Sequence, residues 1–414
     1  MLTAPRVCWD LLVRAERNLP PGHEEGNSTM YVRYRWARRT ALAMAALLPA
    51  AGLLTVATPA VQAAAFEQSY AYVYVDKPSE PVGTSYTPPA SRNYNSAGRP
   101  NNVSRLGPGE YLILMTYLAT EPQANLGVAH VTAHGHTASY CSVAYMNRSI
   151  FEDPKTGEVT YFGVAIWVHC FDASGTRLDS EFAASWANAA GWYGGISDFA
   201  YLTSTDERRT HEPALNQQFN SMGHSNKISY LGTGRYQVSL QGMGNKGLDP
   251  KAEKGHVQVT AYFQESHRCK VAYFFTLPAS TQVDVNCYNA DGALSDSLFT
   301  FTYSRDASLV WTPWGAYTWV QGGEVHPDEQ WTYDPLVNPT ITVKRGVGSE
   351  EGLYWVNTSM DGFMDKGNVQ VTAEGPGPHY CKVAEWDSDQ GIQVRCFKAD
   401  GAPVRNPFFV SFAL

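Results

Sequence analysis

The chain has 414 residues and a formal net charge of −8, with charged residues at only 17% and aromatics at 13%. An acidic balance argues against a nucleic-acid surface, and this aromatic content argues against a disordered chain. Its 35 glycines and 24 prolines, set among many Tyr, Thr and Val, are the composition of a turn-rich β protein.

Residues 1–63 read as a secretory signal. "RYRWARR" (Arg33–Arg39) supplies positive charge, an apolar run follows to Ala60, and "VQA" (Val61–Ala63) puts small residues where a signal peptidase needs them. The charged, proline-bearing stretch ahead of Met30 is foreign to such a segment, so Met30 is an alternative start. Arg38-Arg39 matches a twin-arginine signal only loosely. Left uncut, the run is long enough to anchor the chain in a bilayer; cleavage near Ala63 leaves a secreted chain with no membrane insertion. Cleavage also removes Cys8, seven of the 31 Lys/Arg and four of the 39 Asp/Glu, which leaves 24 against 35, a net −11, and six cysteines.

The rest of the chain repeats itself. "GVAHVTAHGHTASYCSV" (Gly127–Val143) returns as "GHVQVTAYFQESHRCKV" (Gly255–Val271) and "GNVQVTAEGPGPHYCKV" (Gly367–Val383). Upstream, "NSAGRPNNVSRLGPGEY" (Asn95–Tyr111) recurs 125 residues later as "NSMGHSNKISYLGTGRY" (Asn220–Tyr236), and a looser third copy runs from Asp334 to Tyr354. Each copy then has Gly-x-Tyr, a cysteine inside "VHCFDASG", "VNCYNADG" or "VRCFKADG", and a closing apolar strand at Phe182, Phe299 or Phe408. These recurrences predict an all-β chain of three tandem antiparallel β-sandwich-like repeats, at 66–190, 191–305 and 306–414, with about seven short strands each. A unit of this size can bury its own core, which predicts three separate domains rather than blades of one closed ring. Alternation in Val257-Gln258-Val259-Thr260 predicts one buried and one wet sheet face, and the Gly-ended turns predict hairpins after the cysteine strands.

Two cysteines fall in each copy, which predicts one disulfide per repeat: Cys141–Cys170, Cys269–Cys287 and Cys381–Cys396. Zinc fits worse, because no Cys-x-x-Cys occurs. The pattern from Asn-Ser-x-Gly through Val-Thr-Ala and Cys-Lys-Val to the last strand resembles tandem repeats in secreted β-rich proteins of actinobacteria and other high-GC bacteria. That resemblance implies export and a β-rich repeat, and carries no activity. Copy three departs from it, with Arg405 where Asp179 and Asp296 stand.

Few residues read as chemistry. His130, His134 and His136 share one strand parity, taken by the alternation to be the solvent face, and three imidazoles could ligate zinc; the other copies have no histidines there, so no metal is expected. Asp361 with Asp365, and Asp249 with Glu253, could hold calcium, but copy one offers only Glu121. No nucleophile elbow or local carboxylate pair singles itself out, so no catalytic residue and no cofactor is expected. The stronger lead is Trp311, Trp314, Trp319 and Trp331, which could stack on sugar rings or fill a joint. The expected role is non-catalytic extracellular binding or adhesion to a glycan or cell-surface polymer. A self-associating surface protein is the alternative, and an exported hydrolase comes third.

Overall fold

A computed structural model of the chain describes residues 69–119, 125–152, 159–188, 198–245, 255–305, 315–321, 324–325, 332–333 and 341–414. The leader, Trp311, Trp314, Trp331, Glu121, Asp249 and Glu253 lie outside the described residues.

The first repeat contributes β1 (Ser69–Val75), β2 (Ser85–Tyr86), β3 (Asn93–Asn95), β4 (Asn101–Gly107), β5 (Glu110–Thr116), β6 (Val128–Ala133), β7 (Tyr140–Glu152), β8 (Val159–Phe171) and β9 (Phe182–Asn188). The second contributes β10 (Asp198–Thr203), β11 (Gln218–Asn220), β12 (Asn226–Gly232), β13 (Arg235–Gln241), β14 (His256–Tyr262), β15 (Arg268–Thr276), β16 (Ser280–Tyr288) and β17 (Leu298–Arg305). The third contributes β18 (Gly315–Gln321), β19 (Glu324–Val325), β20 (Thr332–Tyr333), β21 (Thr342–Arg345), β22 (Leu353–Asn357), β23 (Asn368–Ala373), β24 (Tyr380–Asp387), β25 (Gly391–Phe397) and β26 (Phe408–Ala413).

Strand order recurs. An inner sheet runs β3-β1-β9-β6, then β11-β10-β17-β14, then β19-β18-β26-β23; an outer sheet runs β4-β5-β8-β7, then β12-β13-β16-β15, then β21-β22-β25-β24. Each pair of sheets is a sandwich with its own core. In the first repeat Tyr111, Ile113 and Met115 of β5 and Val164, Ile166 and Val168 of β8 face Ala71, Val73, Val131 and Trp186. The three disulfides link directly opposed residues of neighbouring outer-sheet strands, with Cα atoms 4.0 to 4.1 Å apart.

The predicted hairpins are corrected. The turn after each cysteine strand makes one short bridge, such as Phe171 with Arg177, and then delivers the chain to the inner sheet. β9 therefore pairs with β1 and β6, and β8 does not pair with it.

Two recurrent motifs have a packing explanation. Gly109, Gly234 and Gly352 have φ of +64° to +77°, and a Cβ there would lie 2.5 to 2.7 Å from the carbonyl oxygen of Cys170, Cys287 or Cys396. Only glycine fits that approach. The tyrosine two residues later turns its hydroxyl to the start of the last strand, where Ser180, Ser297 or Asn406 donates a backbone N–H to it. Asn95 and Asn101 form a buried pair that ties β4 to the Tyr72 carbonyl, and Asn220 with Asn226 repeats the arrangement.

Residues 63–414 form one compact unit, and the repeats close on one another in a cycle. Tyr262 bridges Val143, Glu374 bridges Val271 and His134 bridges Val383, each through one parallel contact between equivalent positions. The turns ending at Gly175, Gly292 and Gly401 meet in the same cyclic order. A Cβ on each would sit 2.7 to 2.9 Å from the Cβ of Ala290, Ala399 and Ala173 respectively. The thrice-written Ala-x-Gly is thus the residue choice that lets three turns converge. The second face of each inner sheet, read as wet, is buried by this closure: every residue of β6, β9, β23 and β26 is buried.

Candidate functional site

Closing the ring turns the inner sheets toward one another and leaves the outer sheets facing outward. The inner faces meet through polar side chains. His130, 3% exposed, sits between Thr260 and Thr302 of the second repeat, with ring nitrogens 3.1 and 2.7 Å from their hydroxyls. Gln258, at the same position in the second repeat, donates to the Val371 carbonyl, and Gln370 accepts from Thr132. Burial pushes the His130 pKa down to about 3, helped by nearby His256, whose own pKa burial also lowers to about 3. These imidazoles are neutral wedges between repeats.

The expected histidine face is therefore corrected. His130 is buried in an interface, His134 binds the Glu181 carboxylate at 2.8 Å, and His136 is exposed. Among the described residues no group of three His, Cys, Asp or Glu could hold a metal. Asp361 and Asp365 are spent locally: Asp361 accepts from the Thr358 N–H, and Asp365 accepts from Ser388. Trp319, the one described member of the tryptophan cluster, stacks on Phe409 at 5.9 Å and packs against the second repeat's core. It fills a joint. Trp186 is likewise buried, and donates its Nε1–H to the Leu126 carbonyl.

The outer sheets present what the sequence reading missed. One row across each sheet is equivalent in all three repeats: Ser104–Leu112–Trp167–Tyr145, Ser229–Gln237–Asp284–Tyr273 and Lys344–Trp355–Gln393–Glu385. Each row carries at least one large aromatic on the outward parity. Tyr145 is 46% exposed and lies 5.5 Å from the half-buried Trp167; Tyr273 is 59% exposed and lies 5.7 Å from Phe275; the Lys344 ammonium stands 5.4 Å over Trp355. Polar groups flank them. Asn147 donates to the Tyr145 hydroxyl, Gln237 donates to Asp284 and Gln393 donates to Glu385. A bulge after Val143, Val271 and Val383 re-aims the strand just before Tyr145, Tyr273 and Glu385. The signal was present in the sequence: Trp167 sits on the parity opposite Val164, Ile166 and Val168, where an aromatic has no core to fill.

Rings with one open face beside amide, carboxylate and ammonium groups can stack on apolar C–H surfaces and hydrogen-bond to neighbouring hydroxyls. The chain matches no family model, and no curated protein matches it.

Proposed function

We propose that this is an exported, non-catalytic binding protein that docks its outward sheet faces on a glycan or cell-surface polymer. The observation that carries this reading is the equivalent outer-sheet row, which carries an outward aromatic in each repeat, though on different strands: Trp167 and Tyr145, Tyr273, and Trp355. A core residue would be constrained by packing; these are not in the core clusters. Three faces on one body give avidity to weak stacking contacts, since a polymer bound at one face is already near the next. Export is supported by the leader pattern of residues 1–63 and by three disulfides between neighbouring strands, which persist in oxidising compartments.

The test is co-sedimentation of the mature chain with insoluble polysaccharides and with isolated cell walls. The affinity of the first repeat's face should fall about thirtyfold on Trp167→Ala with Tyr145→Ala, since stacking contacts of this kind contribute on the order of 1 kcal/mol each. Retention that is unchanged when all three rows are truncated, in protein that is still folded, would refute the proposal.

A further inference from the structure

The cyclic closure leaves a second feature, a cavity of about 60 Å³ walled by equivalent residues of all three repeats. It has room for an ion of a few heavy atoms, and its walls share no residue with the outer-sheet rows, so it is independent of the glycan reading. Its wall is electrically one-sided. Arg268, Lys270 and Lys382 line it together with His267 and His379, and no carboxylate does among the described residues, in a chain whose net charge is −8.

Arg268 is 6% exposed and lies between two tyrosine rings, with its guanidinium carbon 4.8 Å from the Tyr140 centroid and 4.6 Å from that of Tyr380. These three side chains occupy the same position in the three repeats. Its Nη2 donates to the carbonyls of Asn289 and Ala290, while Nε and Nη1 are buried with no partner among the described residues. A guanidinium with two orphaned donors and no carboxylate is costly to bury unless an anion meets it. The lysines, 4% and 1% exposed, are held by neutral groups: Lys270 donates to the Gly377 carbonyl, and Lys382 to the Thr137 carbonyl and the Ser139 hydroxyl.

We propose that this cavity binds a small inorganic oxyanion of the sulfate or phosphate type, met by an unpartnered N–H of Arg268 and neutralised by Lys270 and Lys382. One guanidinium N–H and an ammonium can each meet an oxygen of a tetrahedral anion. The bound ion would fasten the three repeats together, because its ligands come from the second and third repeats and Tyr140 of the first covers the arginine. Burial lowers the pKa of each lysine to about 7, with Glu374 opposing the shift at Lys270 and Glu181 at Lys382. An anion would recharge these amines, so binding at pH 8 should take up protons.

The experiment is calorimetric titration of the mature chain, dialysed into zwitterionic buffer, with sodium sulfate and then with sodium phosphate, against chloride at matched ionic strength. One site per chain is expected for at least one oxyanion, with heats at pH 8 that vary with the ionisation enthalpy of the buffer. Arg268→Tyr installs the residue found at this position in the other two repeats, and should weaken binding at least tenfold. Lys382→Ser installs the first repeat's Ser142, serves if the arginine variant does not fold, and should weaken it about as much. No saturable binding to the wild-type chain would overturn the proposal, as would variants that fold and bind like it. Water alone in the cavity of crystals grown with sulfate or phosphate would also overturn it.

Discussion

His130→Gln is the most informative single substitution, because the protein already places glutamine at this position twice. Gln258 and Gln370 occupy it in the other repeats and are buried with amide hydrogen bonds to Val371 and Ala183. The change should therefore cost little at pH 7, about 1 kcal/mol at most. Acid separates the two proteins. In the folded state the ring stays neutral down to about pH 3, whereas in the unfolded chain it takes up its proton near 6.5. Between those values the unfolded state binds more protons, so the folded protein loses stability as pH falls through the window. At 1.36 kcal/mol per pH unit, His130 should contribute a loss of about 2 kcal/mol at pH 5 and about 3 kcal/mol at pH 4, and glutamine none. Urea denaturation of both proteins at pH 7, 5 and 4, followed by tryptophan fluorescence, reads the difference directly. His130→Gln should gain on the wild type steadily as pH falls. A difference that stays flat with pH, or a wild type that holds up better at pH 4, would refute the assignment of His130 as a neutral interface wedge.

Three further outcomes follow from packing. Gly401→Val forces a branched residue to φ +84° and against the Cβ of Ala173, and should destabilise by about 3 kcal/mol; Gly98→Ala, at φ +69° with open space around it, should cost about 1 kcal/mol in the same thermal melts. Replacing a cysteine pair by alanines should remove about 3 kcal/mol per disulfide, given separations of 15 to 29 residues, and the loss is checked by denaturant midpoints with and without reductant. Asp179→Asn breaks the two-point contact with Arg105 while leaving an acceptor for Gly109 and Tyr111, so about 1 to 2 kcal/mol should be lost in the same denaturant assay.

Much of the architecture was legible from recurrence within the chain. Paired cysteines in each copy pointed to the three disulfides, because two thiols recurring in one folded unit have few other partners. The Gly-x-Tyr and Ala-x-Gly motifs announced close backbone approaches, although not that the Ala-x-Gly turns would approach each other. What failed was the parity of His130, Gln258 and Gln370. Threonine, glutamine and histidine alternating with valine look the same whether the polar face meets water or the polar face of a neighbour. The recurrence of Thr132, Thr260 and Thr372 on that parity is explained by contacts between repeats: Thr132 with Gln370, Thr260 with His130, Thr372 with the Val259 carbonyl. Four tryptophans between Trp311 and Trp331 stand out by density, whereas Trp167 and Trp355 each stand alone on an outward parity, a weaker signal that strand register makes plain.

Ring closure decides which faces remain available, and differential scanning calorimetry of the chain tests it most directly. If the inner faces are bound to one another as described, unfolding should be one cooperative transition, with calorimetric and van't Hoff enthalpies that agree. Three resolved transitions, or isolated repeats that each melt as they do within the intact chain, would contradict it.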